Sequence, residues 1–151
     1  MAMGRGRHAL VLARAGFLTF GVDVNLGAIE EARARARAEG LAVLGWCADL
    51  TTIPLPADVF DLLLVTRYLQ RDLFSSIRHS VRPGGFVLYE TFTDRPRRLD
   101  RTRPTSPAHL LQPGELRAHF AHWEVLFSEE DVAPDALARI VARRPRNLAA
   151  G

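Results

Sequence analysis

Apolar and helical segments alternate along the N-terminal part of the chain. Mostly apolar runs occupy residues 17–22, 41–46, 60–65 and 86–89. Most of the segments between them have helical spacing and a length of about ten to fifteen residues, which is enough for a crossover helix. This pattern predicts βαβ units, and therefore a doubly wound α/β fold whose parallel sheet is covered by helices on both faces.

Glycines and capping residues mark the ends of the predicted helices. Gly16 and Gly40 follow two helical segments and are natural left-handed stops, and Asn25 is an expected N-cap. In the helix after Asn25, small and apolar residues recur every three or four positions, which indicates one buried face. Three helices are expected, over residues 7–15, from Asn25 to Gly40, and over residues 68–81 before the turn Pro83-Gly84-Gly85.

The strand Phe60–Val65 is the strongest strand prediction, because its run of apolar residues is typical of a strand buried on both faces. Cys47 closes the preceding apolar run and is expected to be a small core residue. Since it is the only cysteine, an internal disulfide is excluded and a cysteine-based metal site has no second ligand. No metal is therefore predicted, and a reducing compartment is the simpler interpretation.

The sequence pattern changes after Thr93. Residues 94–109 contain three prolines and no apolar periodicity, which predicts a long surface loop. A short helix is expected over residues 113–120, followed by strands at 123–127 and 137–142. The connection between these strands leaves no room for a crossover helix, so they are predicted to run antiparallel. We expect one domain over residues 1–145 and a flexible tail over 146–151.

Charge and hydropathy limit the classes of partner. All twenty basic residues are arginine, and the formal net charge is +3. The arginines are scattered instead of forming a stripe with aromatic residues between them, so nucleic-acid binding is not predicted. No stretch approaches the ~20 apolar residues that span a bilayer, and no secretory signal is recognised. The expected location is the cytoplasm.

A glycine-rich segment, Gly4-Arg5-Gly6-Arg7-His8-Ala9, precedes the first predicted helix. Glycine lets the backbone approach a ligand closely, and a helix N-terminus supplies free N–H groups and a positive dipole end. Only Met1-Ala2-Met3 precede this segment, too few residues for a strand of usual length. The segment fits G-x-G-x-x-A, so a nicotinamide-binding Rossmann domain is one interpretation.

Acidic residues end two of the predicted strands. Asp23 follows the first apolar run and Asp49 follows the second. Ligands of open α/β sheets bind outside the carboxyl ends of the strands, where a carboxylate can accept two hydrogen bonds from a ribose diol. Either aspartate can instead cap a turn or a helix.

Together these elements resemble the class I S-adenosylmethionine-dependent methyltransferases, in particular the small bacterial type related to tellurite-resistance methyltransferases. The resemblance covers nearly the whole chain. It is carried by the glycine-rich segment, in which Ala2 stands where the family often has another glycine, and by Asp23, Asp49-Leu50, Phe60-Asp61, Arg82-Pro83-Gly84-Gly85 and the terminal hairpin. It implies a Rossmann-like, mostly parallel sheet with a C-terminal antiparallel hairpin, and S-adenosylmethionine as cofactor.

The resemblance also assigns roles to residues. It implies that Gly4 and Gly6 form the cofactor loop, that Asp23 binds the ribose hydroxyls, and that Asp49 and Leu50 contact the adenine. Residues after the strand Phe60–Val65 would lie beside the methyl group. They are Thr66, Arg67, Tyr68 and Arg71. Thr66 would contact the cofactor, Tyr68 would shape the acceptor pocket, and Arg67 would orient an anionic or polar acceptor. Glu90 and Thr91, after the next strand, are second candidates.

One strand of the family's sheet has no counterpart in this sequence. That first strand lies in the middle of the sheet, before the glycine-rich segment, so the chain is interpreted as truncated at its N-terminus. Losing a central strand exposes two rows of backbone donors and acceptors, and we expect impaired binding of the cofactor and impaired transfer to a small-molecule acceptor. The alternative is an inactive remnant or interaction subunit that pairs, or self-associates, through the open sheet.

Overall fold

Two parallel strands and two helices make up the first of two compact units, Met1–Ile53 and Pro54–Gly151. The computed structural model describes residues 1–94, 106–131 and 136–146. In the first unit, strand β1 (Thr19–Asp23) pairs in parallel with β2 (Val43–Cys47). Helix α1 (Arg7–Arg14) precedes β1, and α2 (Leu26–Ala38) connects the two strands. The unit is therefore one βαβ crossover with an additional helix, as the alternation predicted.

Helix α2 forms where its caps and apolar positions predict it. The side chain of Asn25 accepts a hydrogen bond from the Ala28 N–H at 3.1 Å, which satisfies one of the unpaired donors of the first turn. The face toward the sheet consists of Ile29, Ala32 and Ala36, all of them buried. The helix ends before Gly40, whose φ of +69° is the left-handed conformation expected of a stop.

Helix α2 packs so closely on its neighbours that two of their positions admit no side chain. A Cβ atom on Gly6 would lie 2.6 Å from the Cβ of Ala32, and one on Gly45 would lie 2.2 Å from Cγ2 of Ile29. Both distances are well below a van der Waals contact. Glycine at these positions lets the helix approach the start of α1 and strand β2.

The second unit is built on a four-stranded mixed sheet in the order β3-β4-β6-β5. Strand β3 pairs in parallel with β4, and β6 runs antiparallel to both β4 and β5. The antiparallel hairpin and the Rossmann-like α/β class are confirmed, whereas the absent first strand stays a prediction. The elements are β3 (Phe60–Thr66), α3 (Leu73–Ser80), β4 (Val81–Phe92), a 3-10 turn (Pro107–His109), α4 (Glu115–His119), β5 (Glu124–Glu130) and β6 (Leu137–Arg143).

Helix α3 and strand β4 differ from their predicted extents. The helix predicted over residues 68–81 covers only Leu73–Ser80, because the chain leaves β3 through a left-handed residue, Arg67 (φ +53°), and then forms turns before the helix begins. The predicted turn at Pro83-Gly84-Gly85 lies inside β4. Gly84 is left-handed there (φ +82°), and its N–H donates to the carbonyl of Arg144 at 2.9 Å, so the strand continues across the irregularity.

Two burial predictions were wrong. Strand β3 alternates instead of being buried on both faces, with Leu63 and Val65 buried and Leu62 and Leu64 only partly so. Cys47 was expected in the core, but it is exposed, because it occupies the last position of β2 beyond the cover of α2.

The core of the second unit is centred on aromatic rings. The Phe74 ring of α3 stacks on the Tyr89 ring of β4 at 5.4 Å between centroids and on His119 of α4 at 3.6 Å. Phe120 packs edge-on against Phe74 at 6.1 Å. These contacts hold α3 and α4 on the sheet, and ring pairs of this kind contribute about 0.5–1.5 kcal/mol beyond the area they bury.

Several predicted features lie outside the described residues. Residues 95–105 of the predicted surface loop and residues 147–151 of the predicted tail are among them, and the expectation of one domain over residues 1–145 stays a prediction. Within the parts of the chain that the structure describes, no helix is both long and apolar enough to cross a membrane.

Candidate functional site

The glycine-rich segment is attached directly to the carboxyl end of β1. The N–H of Met3 donates to the carbonyl of Val22 at 3.0 Å, and the N–H of Gly4 donates to Oδ2 of Asp23 at 2.8 Å. Ala2, Gly4 and Gly6 have φ values of +47°, +49° and +75°, so three alternate residues are left-handed. Ala2 adopts this conformation at the position where the resemblance expects a glycine. The segment is a tight turn whose backbone follows the strand end.

Asp23 retains capacity to bind a ligand. Its Oδ2 accepts the Gly4 N–H, and its Oδ1 accepts the N–H of Asn25 at 2.9 Å. A carboxylate has about four lone-pair positions, of which these two bonds use two. A Cβ atom added to Gly4 would meet no heavy atom within 4 Å, so the turn leaves space beside its backbone. Asp23 and Gly4 therefore fit a ribose diol that approaches from the strand end.

The carboxyl end of β2 lies beside that of β1. The N–H of Ala48 donates to the carbonyl of Asp23 at 3.1 Å, and the thiol of Cys47 donates to the carbonyl of Val24 at 3.6 Å. These bonds place Asp49 and Leu50 immediately after the paired strand ends. The structure thus brings Gly4, Gly6, Asp23 and Asp49 to one edge of the first unit.

Asp49 has a structural task of its own. Its Oδ1 accepts the Thr51 hydroxyl at 2.7 Å and the Thr51 N–H at 2.9 Å, which closes a turn after β2. The Thr51 hydroxyl, followed by its N–H, holds the pKa of Asp49 below the usual value. The Leu50 side chain is buried. The turn-capping interpretation of Asp49 is therefore realised, and the contacts of Asp49 and Leu50 with adenine stay predictions.

In the second unit, Arg67 is held at the carboxyl end of β3 in a strained conformation. Its N–H donates to the carbonyl of Glu90 at 2.8 Å, one position beyond the register pair of Thr66 and Glu90. The left-handed φ of +53° is unfavourable for a residue with a Cβ. The side chain is exposed, and its guanidinium carbon lies 5.9 Å from the centroid of the Phe92 ring. This distance is within the range of a cation–π contact.

Tyr68 is fixed through its backbone. Its carbonyl accepts the hydroxyl of Tyr89 at 2.9 Å, and its own side chain is half-buried. Burial raises the pKa of Tyr89 well above its usual value, so that hydroxyl is a neutral donor at any physiological pH. Thr66, Arg67 and Tyr68 consequently share one edge of the second unit, and their placement beside the methyl group stays a prediction.

Glu90 is engaged in an ion-pair cluster. Nε of Arg139 donates to its Oε2 at 2.8 Å, and the same guanidinium contacts Glu129 at 3.2 Å and also Asp131. Hydrogen bonds to Asp131 first and Glu90 second raise the pKa of Arg139. The Glu90 carboxylate is therefore engaged in an ion pair with Arg139. The neighbouring candidate Thr91 is buried.

Arg71, whose placement beside the methyl group stays a prediction, makes several contacts within the second unit. Its Nε and one Nη contact both carboxylate oxygens of Glu115 at 2.7 and 2.9 Å. Its Nη groups also donate to the carbonyls of Ala108 and Leu110, each at 2.8 Å. With these contacts Arg71 joins the 3-10 turn and α4 to the segment after β3, and its charge is already balanced.

Sequence reasoning missed the supporting residues Tyr89, Glu115 and Arg139. Their partners lie 21, 44 and 49 residues away along the chain. A local pattern cannot indicate such distant partners. Within the described residues, no group of three or more histidine, cysteine or acidic side chains is arranged to hold a metal ion.

The fold and the strand-end residues define a Rossmann-like protein of the class I methyltransferase type, and the comparisons with known proteins agree. A family model described as a methyltransferase domain matches residues 1–85, more than half of the chain. The chain belongs to this methyltransferase domain family. Membership implies S-adenosylmethionine as the cofactor, which Asp23 and the left-handed turn at Gly4 fit. Curated protein sequences gave no significant match.

Solved structures share the fold at low sequence identity. An S-adenosylmethionine-dependent methyltransferase from Methanosarcina mazei is similar with a TM-score of 0.73 and 17% identity, over 97% of this chain and 91% of that one. An S-adenosylmethionine-dependent methyltransferase from Mesorhizobium loti has a TM-score of 0.74 and 19% identity, over 95% of this chain and 88% of that one. TehB from Haemophilus influenzae has a TM-score of 0.76 and 19% identity, over 95% of this chain and 55% of its own. At these identities the likeness shows the fold.

Proposed function

We propose that this protein transfers a methyl group from S-adenosylmethionine to a small molecule. The observation that carries the proposal is the attachment of the left-handed turn at Gly4 to the carboxylate of Asp23, at the carboxyl end of a parallel strand. This is the edge at which open α/β sheets bind nucleotides and related ligands. Family membership supplies the reaction class.

The cofactor-binding residues proposed are those of the first unit. Gly4 and Gly6 give a turn whose backbone a ligand can approach, and Asp23 has lone pairs for the two ribose hydroxyls. Asp49 would accept a hydrogen bond from the adenine amino group, and Leu50 would contact the adenine ring. When bound, the cofactor supplies an electrophilic methyl group on a sulfonium centre.

The acceptor-binding residues proposed are Arg67 and Tyr68, which share an edge of the second unit with Thr66. Methyl transfer requires a nucleophile held in line with the methyl group and protected from water, so proximity and orientation can supply much of the rate. A dedicated base is not required. This agrees with Glu90, whose carboxylate is paired with Arg139.

Calorimetric titration with S-adenosylmethionine tests the proposal. Asp23→Asn should weaken binding at least about tenfold, because one amide position cannot accept a hydrogen bond and each charged hydrogen bond contributes about 1.5–3 kcal/mol. Asp72→Asn is the matched control, since Asp72 precedes α3 and makes no capping bond. Equal affinities of the two variants, or binding of NADH in place of S-adenosylmethionine, would refute the assignment.

The same titration addresses the expectation of impaired binding. The 151-residue chain is compared with a version extended upstream by an apolar strand that ends in an acidic residue. Tighter binding by the extended version supports the expectation, and equal affinity contradicts it.

Self-association is a second candidate function, supported by the outer face of the β1–β2 sheet. Phe20 and Leu44 lie opposite each other in the register and are 57% and 45% exposed, and Trp46 follows on the same face at 42%. Leu18 and Val24, which flank β1, are 74% and 70% exposed. A fully exposed aromatic side chain has an accessible surface of about 150–250 Å², and an aliphatic one has somewhat less. At the exposed fractions given above, these side chains form an apolar patch of roughly 500 Å².

We propose that a second copy of the chain covers this patch. Two such patches together approach the lower limit of roughly 1,200 Å² for a specific interface, and a patch of this size is at the upper end for a monomer. Sedimentation velocity should show a concentration-dependent dimer that Phe20→Ser abolishes. Val11→Ser, at an exposed position on α1, is the control. A monomer at all concentrations would contradict the proposal.

A further inference from the structure

Among the residues that the structure describes, none balances the charge of Arg67. Within the described residues no ion pair involves Arg67, whereas Arg71 is paired with Glu115 and Arg139 with Glu90, Glu129 and Asp131. All three arginines belong to the second unit. Arg67 therefore differs from the neighbouring arginines in keeping its guanidinium donors available to a ligand.

The protein also holds the backbone of Arg67 in place at an energetic cost. A non-glycine residue in the left-handed region costs of the order of 1 kcal/mol, and such strain collects at binding and catalytic positions. Here the strain persists because the Arg67 N–H is fixed on the Glu90 carbonyl at 2.8 Å. Glycine would remove the cost but would also remove the charge. The residue type is thus better explained by what the guanidinium binds than by the backbone.

The Phe92 ring gives the guanidinium a fixed support. The guanidinium carbon lies over the ring, 5.9 Å from its centroid, so the charged group is next to an apolar surface. The N–H donors lie in the plane of the group and stay available at its edge, where they match the two oxygens of a carboxylate. A flat apolar support beside a fork of donors suits an aromatic or other planar carboxylate.

We propose that the methyl acceptor carries a carboxylate group and that Arg67 binds it through a two-point contact. This inference rests on the proposed methyl transfer for its biological meaning, but the carboxylate site itself does not depend on the cofactor. It names the class of acceptor, a small organic acid, and assigns Arg67 the task of selecting it.

The test follows the side-chain Nε–H signals of the whole chain by NMR during titration with benzoate. The Arg67 signal, assigned by its absence in Arg67→Lys, should shift saturably with benzoate and not with benzamide, which has the same shape without the charge. Sodium chloride at equal ionic strength should leave it in place. The Arg71 signal is an internal control, because its Nε is already bonded to Glu115.

Two variants separate recognition from folding. Arg67→Gly should keep a folded spectrum, because glycine adopts positive φ without strain, and should no longer bind benzoate. Arg67→Lys keeps the charge but loses the fork, so benzoate binding should weaken about threefold or more. Arg82→Gln, at an exposed arginine paired with Asp61, should bind as the unaltered chain does.

The proposal is overturned if the Arg67 signal does not shift saturably with benzoate, or shifts equally with benzamide or chloride. It is also overturned if Arg67→Gly still binds benzoate. Since neither S-adenosylmethionine nor turnover is needed, a chain that fails to bind the cofactor still gives a result. Failure of this inference is thereby distinguishable from failure of the proposed methyl transfer.

Discussion

The backbone N–H of Gly4 and the carboxylate of Asp23 are joined by a 2.8 Å hydrogen bond across nineteen residues of sequence. The bond fixes the glycine-rich turn to the end of β1, and it uses the side chain that is proposed to bind ribose. Asp23 therefore has a structural task in addition to the ligand-binding one proposed for it.

Asp23→Asn is expected to lower the free energy of unfolding by about 1 kcal/mol. Its amide nitrogen cannot accept a bond, so either Gly4 or Asn25 loses its acceptor, and water replaces that bond only in part. Urea denaturation followed by circular dichroism measures the change. Asp72→Asn should stay within about 0.5 kcal/mol of the unaltered chain, as surface substitutions usually do. Equal stability of the two variants would show that the Gly4 bond contributes nothing.

Gly6→Ala should destabilise the protein more than Gly16→Ala. Both glycines are left-handed, with φ of +75° and +86°, so both variants carry a backbone cost of about 1 kcal/mol. Only at Gly6 does the new Cβ also meet Ala32, at 2.6 Å, whereas Gly16 has open space. The difference between the two unfolding free energies therefore reports the contact with α2 and should reach about 1–3 kcal/mol. Equal free energies of unfolding for the two variants would contradict the close approach of α2 to Gly6.

Arg71→Gln should destabilise the second unit by about 1–2 kcal/mol at neutral pH. The variant leaves Glu115 and the carbonyls of Ala108 and Leu110 without their charged donor, and the partial exposure of Arg71 limits the loss. Arg82→Gln is the control, because both members of its pair are more than half exposed. Thermal unfolding at pH 7 compares the two variants, and a larger effect of Arg82→Gln would contradict the assigned role.

The same pair predicts a dependence of stability on pH. Burial is the largest single influence and raises the pKa of Glu115, but the hydrogen bonds from Arg71 and the Gln112 N–H, together with the charges of Arg71 and His119, outweigh it and hold the pKa below its usual value of 4.5. A carboxyl whose folded pKa is lowered contributes stability above its unfolded pKa and loses it as the pH falls through the folded value. The difference between the unaltered chain and Arg71→Gln should therefore shrink below pH 4.5. A difference that is constant from pH 7 to pH 3 would rule out this linkage.

Tyr89→Phe should cost about 1 kcal/mol at pH 7, because the Tyr68 carbonyl loses its donor. The folded pKa of Tyr89 lies above the usual 10.0 as a result of burial. Such a group stabilises the fold fully below pH 10, and this contribution is lost as the pH rises above 10, where the unfolded chain ionises first. Stability of the unaltered chain should decline above pH 10 more steeply than that of Tyr89→Phe. Parallel declines would show that Tyr89 is not the residue responsible.

Local signals accounted for the elements that depend on local physics. The cap at Asn25, the stop at Gly40 and the hairpin before Leu137 each follow from a few neighbouring residues. The late start of α3 did not, because it depends on the Arg67 N–H reaching the Glu90 carbonyl of another strand. The positions of Asp23 at the end of β1 and of Asp49 just after β2 were found from the alternation of apolar and helical segments, since parallel strands place their carboxyl ends together. The ion pair that balances the charge of Arg71 could not be predicted, because Arg71 and Glu115 are 44 residues apart in the sequence.

The conformation of Arg67 also affects how this protein should be engineered. Directed evolution that selects only for heat resistance would favour glycine or asparagine at position 67, since both relieve a left-handed backbone. The selected variants would be more stable, but without the Arg67 guanidinium they would no longer bind the carboxylate of an acidic acceptor. Stability and selectivity are in conflict at this single position, so a useful library must be screened for both traits together.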